Sequence, residues 1–289
     1  MLLGWPGVEV VGITTVADHG GRRAGYVAHC LELAGRDDIP LEAGAAASLT
    51  TLEIAEPIID DERYWSTSLK HRPSPPGATL DLLHRSIEQG ATVVAIGPFT
   101  NLALLEVTRP GSLARVPVVA VGGWFPPAEQ GLPDWGPEMD WNVQWDTTAA
   151  RVVAGAADLT LVPLPVTLKA HLRAADLPRL RASGPLGRLL AAQGEAHGQD
   201  WNMAAMGRAH AGLPDDLLNF QYDPVAVAVA LGWSATAVKE MRLKPTVTGD
   251  LLRFQPEPEG RLTRVVVDLD GTRFGETWLS AVETLHRSR

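Results

Sequence analysis

Nearly unbroken apolar runs alternate with stretches of helical period over the first 164 residues, and few folds accept that order. Residues 8–16 are β-branched and mostly apolar, which predicts a strand buried on both faces. Residues 20–33 then read as a helix closed near Gly35, and 39–43 as a short strand. The pattern repeats with a helix over 79–88, a strand over 92–96 and a helix over 101–108. It repeats again with a strand over 116–121, a helix over 147–154 and a strand over 159–164. Strands that are apolar throughout, each followed by a helix, predict an α/β fold with a mostly parallel sheet flanked by helices on both faces. Ligands in such folds sit beyond the carboxyl ends of the strands. Attention therefore falls on Asp18-His19-Gly20, on Gly97-Pro98-Phe99-Thr100-Asn101, and on Gly122-Gly123-Trp124 with the acidic, aromatic loop 134–146 behind it.

The rest of the chain is less regular. Residues 48–76 lack a clear period, and a stretch that long inside a compact domain is usually functional or mobile. Asp60-Asp61-Glu62 within it reads as a solvated charge run. A polar helical insertion is expected over about residues 170–220. Tyr222-Asp223-Pro224 opens an apolar helix, and residues 251–270 alternate like two strands around a turn at 256–260. A closing helix covers 275–285, and no linker divides the chain, so residues 1–289 read as one domain. With 25 basic against 34 acidic residues the net charge is -9, which argues against a nucleic-acid partner. No apolar run approaches the roughly 20 residues of a membrane helix, so no membrane partner is expected. The single cysteine, Cys30, fits a reducing, cytoplasmic setting.

Six segments in order carry a resemblance. They are Val10-Val11-Gly12-Ile13-Thr14-Thr15-Val16, Leu31-Glu32-Leu33-Ala34-Gly35-Arg36-Asp37-Asp38, and Ala95-Ile96-Gly97-Pro98-Phe99-Thr100-Asn101-Leu102-Ala103-Leu104. Val121-Gly122-Gly123, then Asp140-Trp141-Asn142 with Asp146-Thr147-Thr148-Ala149-Ala150, and Tyr222-Asp223-Pro224 complete the set. Together these resemble the inosine–uridine preferring nucleoside hydrolase family over nearly the whole chain. The resemblance implies hydrolysis of the N-glycosidic bond of a ribonucleoside to ribose and free base, with a small-molecule nucleoside as substrate. It also implies a calcium ion that activates water, and a homodimer or homotetramer.

Carried over residue by residue, the resemblance implies metal ligation by the Asp223 carboxylate and the Ile96 backbone carbonyl. It places ribose contacts on Asn142, Asp140, Asp134 and His19, and the leaving-group acid on Tyr222. A base-side histidine of the family falls near Tyr64-Trp65, while Asn101 reads as the cap of its own helix. Trp124, Trp135, Trp141 and Trp145 read as a stacking wall for a base or as a subunit contact. The family's Asp-x-Asp-Pro-Gly-x-Asp-Asp run has no counterpart here, because Met1-Leu2-Leu3 aligns with the end of the helix that carries it. The fold is therefore expected to lack that first, central strand and to show two unpaired edges in its place. This departure motivates an alternative: a catalytically impaired member that binds a ribose-containing molecule without hydrolysis.

Overall fold

The structure, a computed structural model, describes residues 1–55, 61–65, 69–125 and 129–287. Asp60 of the acidic run lies outside the described residues. The strands are β1 (Ile13–Thr14), β2 (Leu41–Glu42), β3 (Val93–Ala95), β4 (Pro117–Val121), β5 (Asp158–Val162), β6 (His171–Arg173), β7 (Leu217–Phe220), β8 (Thr236–Thr248), β9 (Leu251–Pro256) and β10 (Arg261–Leu269). The helices are α1 (Arg22–Leu33), α2 (Asp61–Tyr64), α3 (Ala78–Glu88), α4 (Thr100–Thr108), α5 (Trp141–Gln144) and α6 (Thr147–Ala156). They continue with α7 (Leu164–Thr167), α8 (Leu177–Ala182), α9 (Gly184–Asp200), α10 (Met203–Ala209), α11 (Tyr222–Ala230) and α12 (Gly271–Arg287).

The main sheet runs β3-β4-β5-β10-β8-β9. From β3 to β10 the neighbours are parallel, and β8 and β9 extend the sheet antiparallel. The expected mixed, helix-flanked α/β architecture is therefore present. Alternate residues of β4 explain why. Val118 and Ala120 enter one core with Leu105, Val153 and Leu161 under α4 and α6. Val119 and Val121 enter a second core with Val225, Phe274 and Trp278 under α11 and α12. A strand that buries both faces must be apolar at every position, and β4 and β5 are buried at all but their first residue. Each Val or Leu so enclosed contributes about 1.5–3 kcal/mol.

Elsewhere the chain departs from the pattern. The strand expected over 8–16 shortens to Ile13–Thr14, paired in parallel with Leu41–Glu42 as a separate two-stranded sheet. The tail holds three strands rather than two, because β8 was not anticipated. Its residues alternate between charge and apolar groups and include Pro245, and most of one face is exposed. The polar stretch near 170–220 is helical through α8, α9 and α10, but the short pair β6–β7 closes it at both ends.

Among the described residues, β1 pairs only with β2 and β3 only with β4, so each presents an unpaired edge. The consequence appears in burial: all three residues of β3 are half-exposed, and Ile96 just beyond them is 47% exposed. The two sheets are joined at their carboxyl ends by Asn101. Its Nδ2 donates to the Thr15 carbonyl at 2.6 Å, and its Oδ1 accepts from the Ala45 N–H at 2.9 Å. Asn101 is therefore not the cap of α4, which begins after Phe99 without a side-chain cap. The physical reason is reach, since a buried amide at the head of α4 can satisfy the segments after β1 and β2 at once where a cap would satisfy only its own helix.

Candidate active site

β4 ends in Gly122-Gly123, and Gly123 adopts φ of +98°, a conformation that favours glycine. That turn points the Gly123 N–H at Asp140, whose Oδ2 accepts it at 2.6 Å. Asp140 Oδ1 accepts from the Val143 N–H at 3.2 Å and so caps α5. Asp140 is enclosed, and burial pushes its carboxyl up to about 6. The two N–H donors pull the other way. Two residues on, Asn142 donates from Nδ2 to the Val121 carbonyl at 3.2 Å and stays half-buried. Its Oδ1 has no hydrogen-bond partner among the described residues. Asp140 and Asn142 are thus both brought to the carboxyl end of β4. Asp146 anchors the same loop: its carboxylate accepts from Thr100 Oγ1, Thr50 Oγ1 and the N–H groups of Leu49 and Ala149.

Tyr222 and Asp223 form the first turn of α11, which packs across β3 and β4. Asp223 is half-buried as a residue, with its carboxyl group withdrawn from water. It has no hydrogen-bond or ion-pair partner among the described residues, and burial pushes it up to about 7. The Tyr222 hydroxyl is pushed far above its ordinary value by burial first and by the Asp223 charge second. That shift makes it a hydrogen-bond donor that gives up its proton reluctantly. Phe220 links Tyr222 to the 134–146 loop, with ring centroids 5.7 Å from Tyr222 and 5.7 Å from Trp135. Asp134, next to Trp135, is exposed, and His19 after β1 is exposed as well. Neither makes a side-chain hydrogen bond among the described residues.

The tryptophans divide. Trp141 and Trp145 pair at 5.8 Å, while Trp135 packs edge-on against Phe220. Trp65 stacks on Tyr26 at 4.6 Å. The sequence singles out Asp18 without giving it a role, and passes over Arg23. Asp18 is buried and accepts from Thr15 Oγ1 and from the N–H groups of Arg23 and Ala24, holding the start of α1. An aspartate a few residues before a helix was the available signal.

A calcium ion takes about 6–8 oxygen ligands, several of them carboxylates. The candidate donors are the Asp223 carboxylate and the Ile96 carbonyl. Among the described residues no group of three acidic, His or Cys side chains lies close enough to hold a metal. The residues described here therefore do not by themselves fit a calcium ion. No helix among them is long and apolar enough to cross a membrane.

The geometry agrees with three comparisons. The family described as inosine-uridine preferring nucleoside hydrolase matches residues 1–281. The pyrimidine-specific ribonucleoside hydrolase RihA of Salmonella agona (strain SL483) is 30% identical over 206 residues, which cover 66% of this chain and 63% of the relative. The chain thus matches less than two thirds of that relative's length. Two solved structures share the fold. A purine-preferring ribonucleoside hydrolase from Gardnerella vaginalis has a TM-score of 0.79 at 19% identity, covering 99% of this chain and 94% of that one. A plant nucleoside hydrolase has a TM-score of 0.76 at 22% identity, covering 98% and 92%.

Proposed function

The chain belongs to the inosine–uridine preferring nucleoside hydrolase family, and from that premise we propose that it hydrolyses the N-glycosidic bond of a ribonucleoside to ribose and free base. One observation carries the reading: Asp223 is a desolvated carboxyl group without a partner among the described residues, at the head of a helix that packs across β3 and β4. Such a group, once ionised, suits a reaction in which positive charge develops on the sugar ring, because a negative charge in a dry site stabilises it strongly. Asn142 contacts the ribose hydroxyls with its free Oδ1, and Asp140 is the positioning residue that fixes it. The Tyr222 hydroxyl donates a hydrogen bond to the departing base. His19 and Asp134 are further ribose contacts at the rim of this reading.

Calcium activation of the attacking water, and assembly into a dimer or tetramer, stay proposals of this reading. Asp223 and the Ile96 carbonyl would be the ion's donors from this chain. Two donors hold calcium weakly. Millimolar Ca²⁺ is therefore expected to stabilise the chain by about 1 kcal/mol or less in a thermal melt. A rise of several degrees in Tm would show a fuller donor set than these residues supply.

The test is base release from a panel of purine and pyrimidine ribonucleosides, followed by absorbance. Release from one of them supports the reading, and no release from any overturns it. The shortfall of metal donors favours a second reading, a family member that binds ribose without cleaving it. Ribose binding that is indifferent to calcium, with no base release, would establish that alternative.

A further inference from the structure

The start of α1 carries a basic rim of which the hydrolytic reading uses only His19. Lys70-His71-Arg72 runs beside the first turns of α1 at backbone distance. The Arg72 N–H donates to the Gly21 carbonyl at 2.8 Å. A Cβ on Gly21 would fall 2.2 Å from the Arg72 carbonyl carbon, and one on Gly25 would fall 2.3 Å from the Lys70 carbonyl oxygen. Gly21 also holds φ of +76°, so this seat depends on glycine twice over. His71 Nδ1 lies 3.8 Å from where Gly20 would carry a Cβ, one residue from His19.

His19, Lys70, His71 and Arg72 are all exposed. Their side chains have no hydrogen-bond or ion-pair partner among the described residues. Arg23 lies on the first turn of α1, between Gly21 and Gly25, and is held in place. Its Nε donates to the Ala17 carbonyl at 3.0 Å, and its guanidinium lies 5.7 Å from the ring centre of Trp141, the neighbour of Asn142. Its terminal nitrogens have no hydrogen-bond partner among the described residues. Asp18 is the carboxylate beside it, and both Asp18 oxygens already accept from Thr15, Arg23 and Ala24. In a chain of net charge -9, exposed Lys70 and Arg72 without an ion-pair partner among the described residues are not a product of composition.

We propose that this rim binds the phosphoryl group of the substrate, so that the site takes a ribonucleoside 5′-monophosphate in preference to the free nucleoside. The inference rests on the proposed glycosidic reading for its sugar site. With the ring hydroxyls held by Asn142, the 5′ substituent is the part of the sugar left to reach Arg23. A guanidinium already fixed in a partly dry setting pairs with a phosphate at little entropic cost, and its fork matches two phosphate oxygens.

The experiment measures binding of inosine, inosine 5′-monophosphate and inorganic phosphate by calorimetry, with base release followed in parallel. At low salt the monophosphate is expected to bind about tenfold or more tightly than inosine, the size of one charge-assisted contact. The advantage shrinks at high salt, and inorganic phosphate displaces the monophosphate. A double substitution, Arg23→Gln with Arg72→Gln, lowers the advantage to about twofold or less, and Arg72→Lys alone retains most of it. Equal affinity for the two compounds would overturn the proposal. So would an advantage that survives the double substitution, or phosphate that binds without displacing the monophosphate. Base release from inosine with no monophosphate advantage defeats this proposal alone. A salt-sensitive advantage without base release from either compound defeats the hydrolytic reading alone.

Discussion

At the residue scale, the site holds two carboxylates that the fold makes costly to ionise. Asp140 has an ordinary value of 3.8 and a folded value of about 6. The folded chain therefore favours its neutral form. Its stabilising share is complete below about pH 4 and is lost as pH rises through about 6. Asp140→Asn removes this dependence. Denaturant titrations should show the variant gaining on the parent chain by roughly 3 kcal/mol between pH 4 and pH 7. Parallel stability curves for the two proteins would contradict that account. Asn142 gives a complementary prediction, because among the described residues its side chain bonds only the Val121 carbonyl. Asn142→Ala should lower kcat/KM for base release by about a hundredfold while costing only about 1 kcal/mol of stability. A proportionate loss of both would recast Asn142 as a structural residue.

At the scale of elements, Asn101 joins the β1–β2 pair to the main sheet. Asn101→Ala leaves the Thr15 carbonyl and the Ala45 N–H without their partner. The expected cost is about 2–4 kcal/mol in urea unfolding, well above the cost of a surface asparagine. An effect below about 0.5 kcal/mol would mean that water replaces both bonds. This role escaped the sequence because a cap and a bridge use the same side chain, and only distant backbone groups distinguish them. β4 and β5 were legible for the opposite reason. A strand covered on both faces must be apolar at each position, and that constraint is written locally. β8 hid because most of its positions are exposed and Lys239, Glu240, Arg242 and Lys244 interrupt its apolar residues with charge. The motif residues Asn142 and Asp223 could be located from their neighbours. The rim of Arg23 with residues 70–72 could not, because backbone packing at Gly21 and Gly25 joins segments far apart in the chain.

At the scale of the whole molecule, burial is uneven across the sheets. β4, β5 and β10 lie between two cores, whereas β1 and β3 each keep an unpaired edge. Native-state hydrogen exchange should rank accordingly, with amides of β4 and β5 slowest and those of β1 exchanging faster by about a hundredfold or more. Uniform protection across all five strands would show that the two sheets open together. The charge distribution is uneven too. A chain of net charge -9 repels anionic ligands overall, so an anion reaches this protein only where positive groups overcome that field. The rim beside β1 is such a place.

Trp141 is 41% exposed, with Arg23 lying over its ring and Trp145 packed beside it. An indole in that position answers to whatever alters the guanidinium above it. The protein thus carries its own optical gauge: occupancy of the rim shifts the intrinsic emission, and Trp141→Phe silences the change while the ligand still binds.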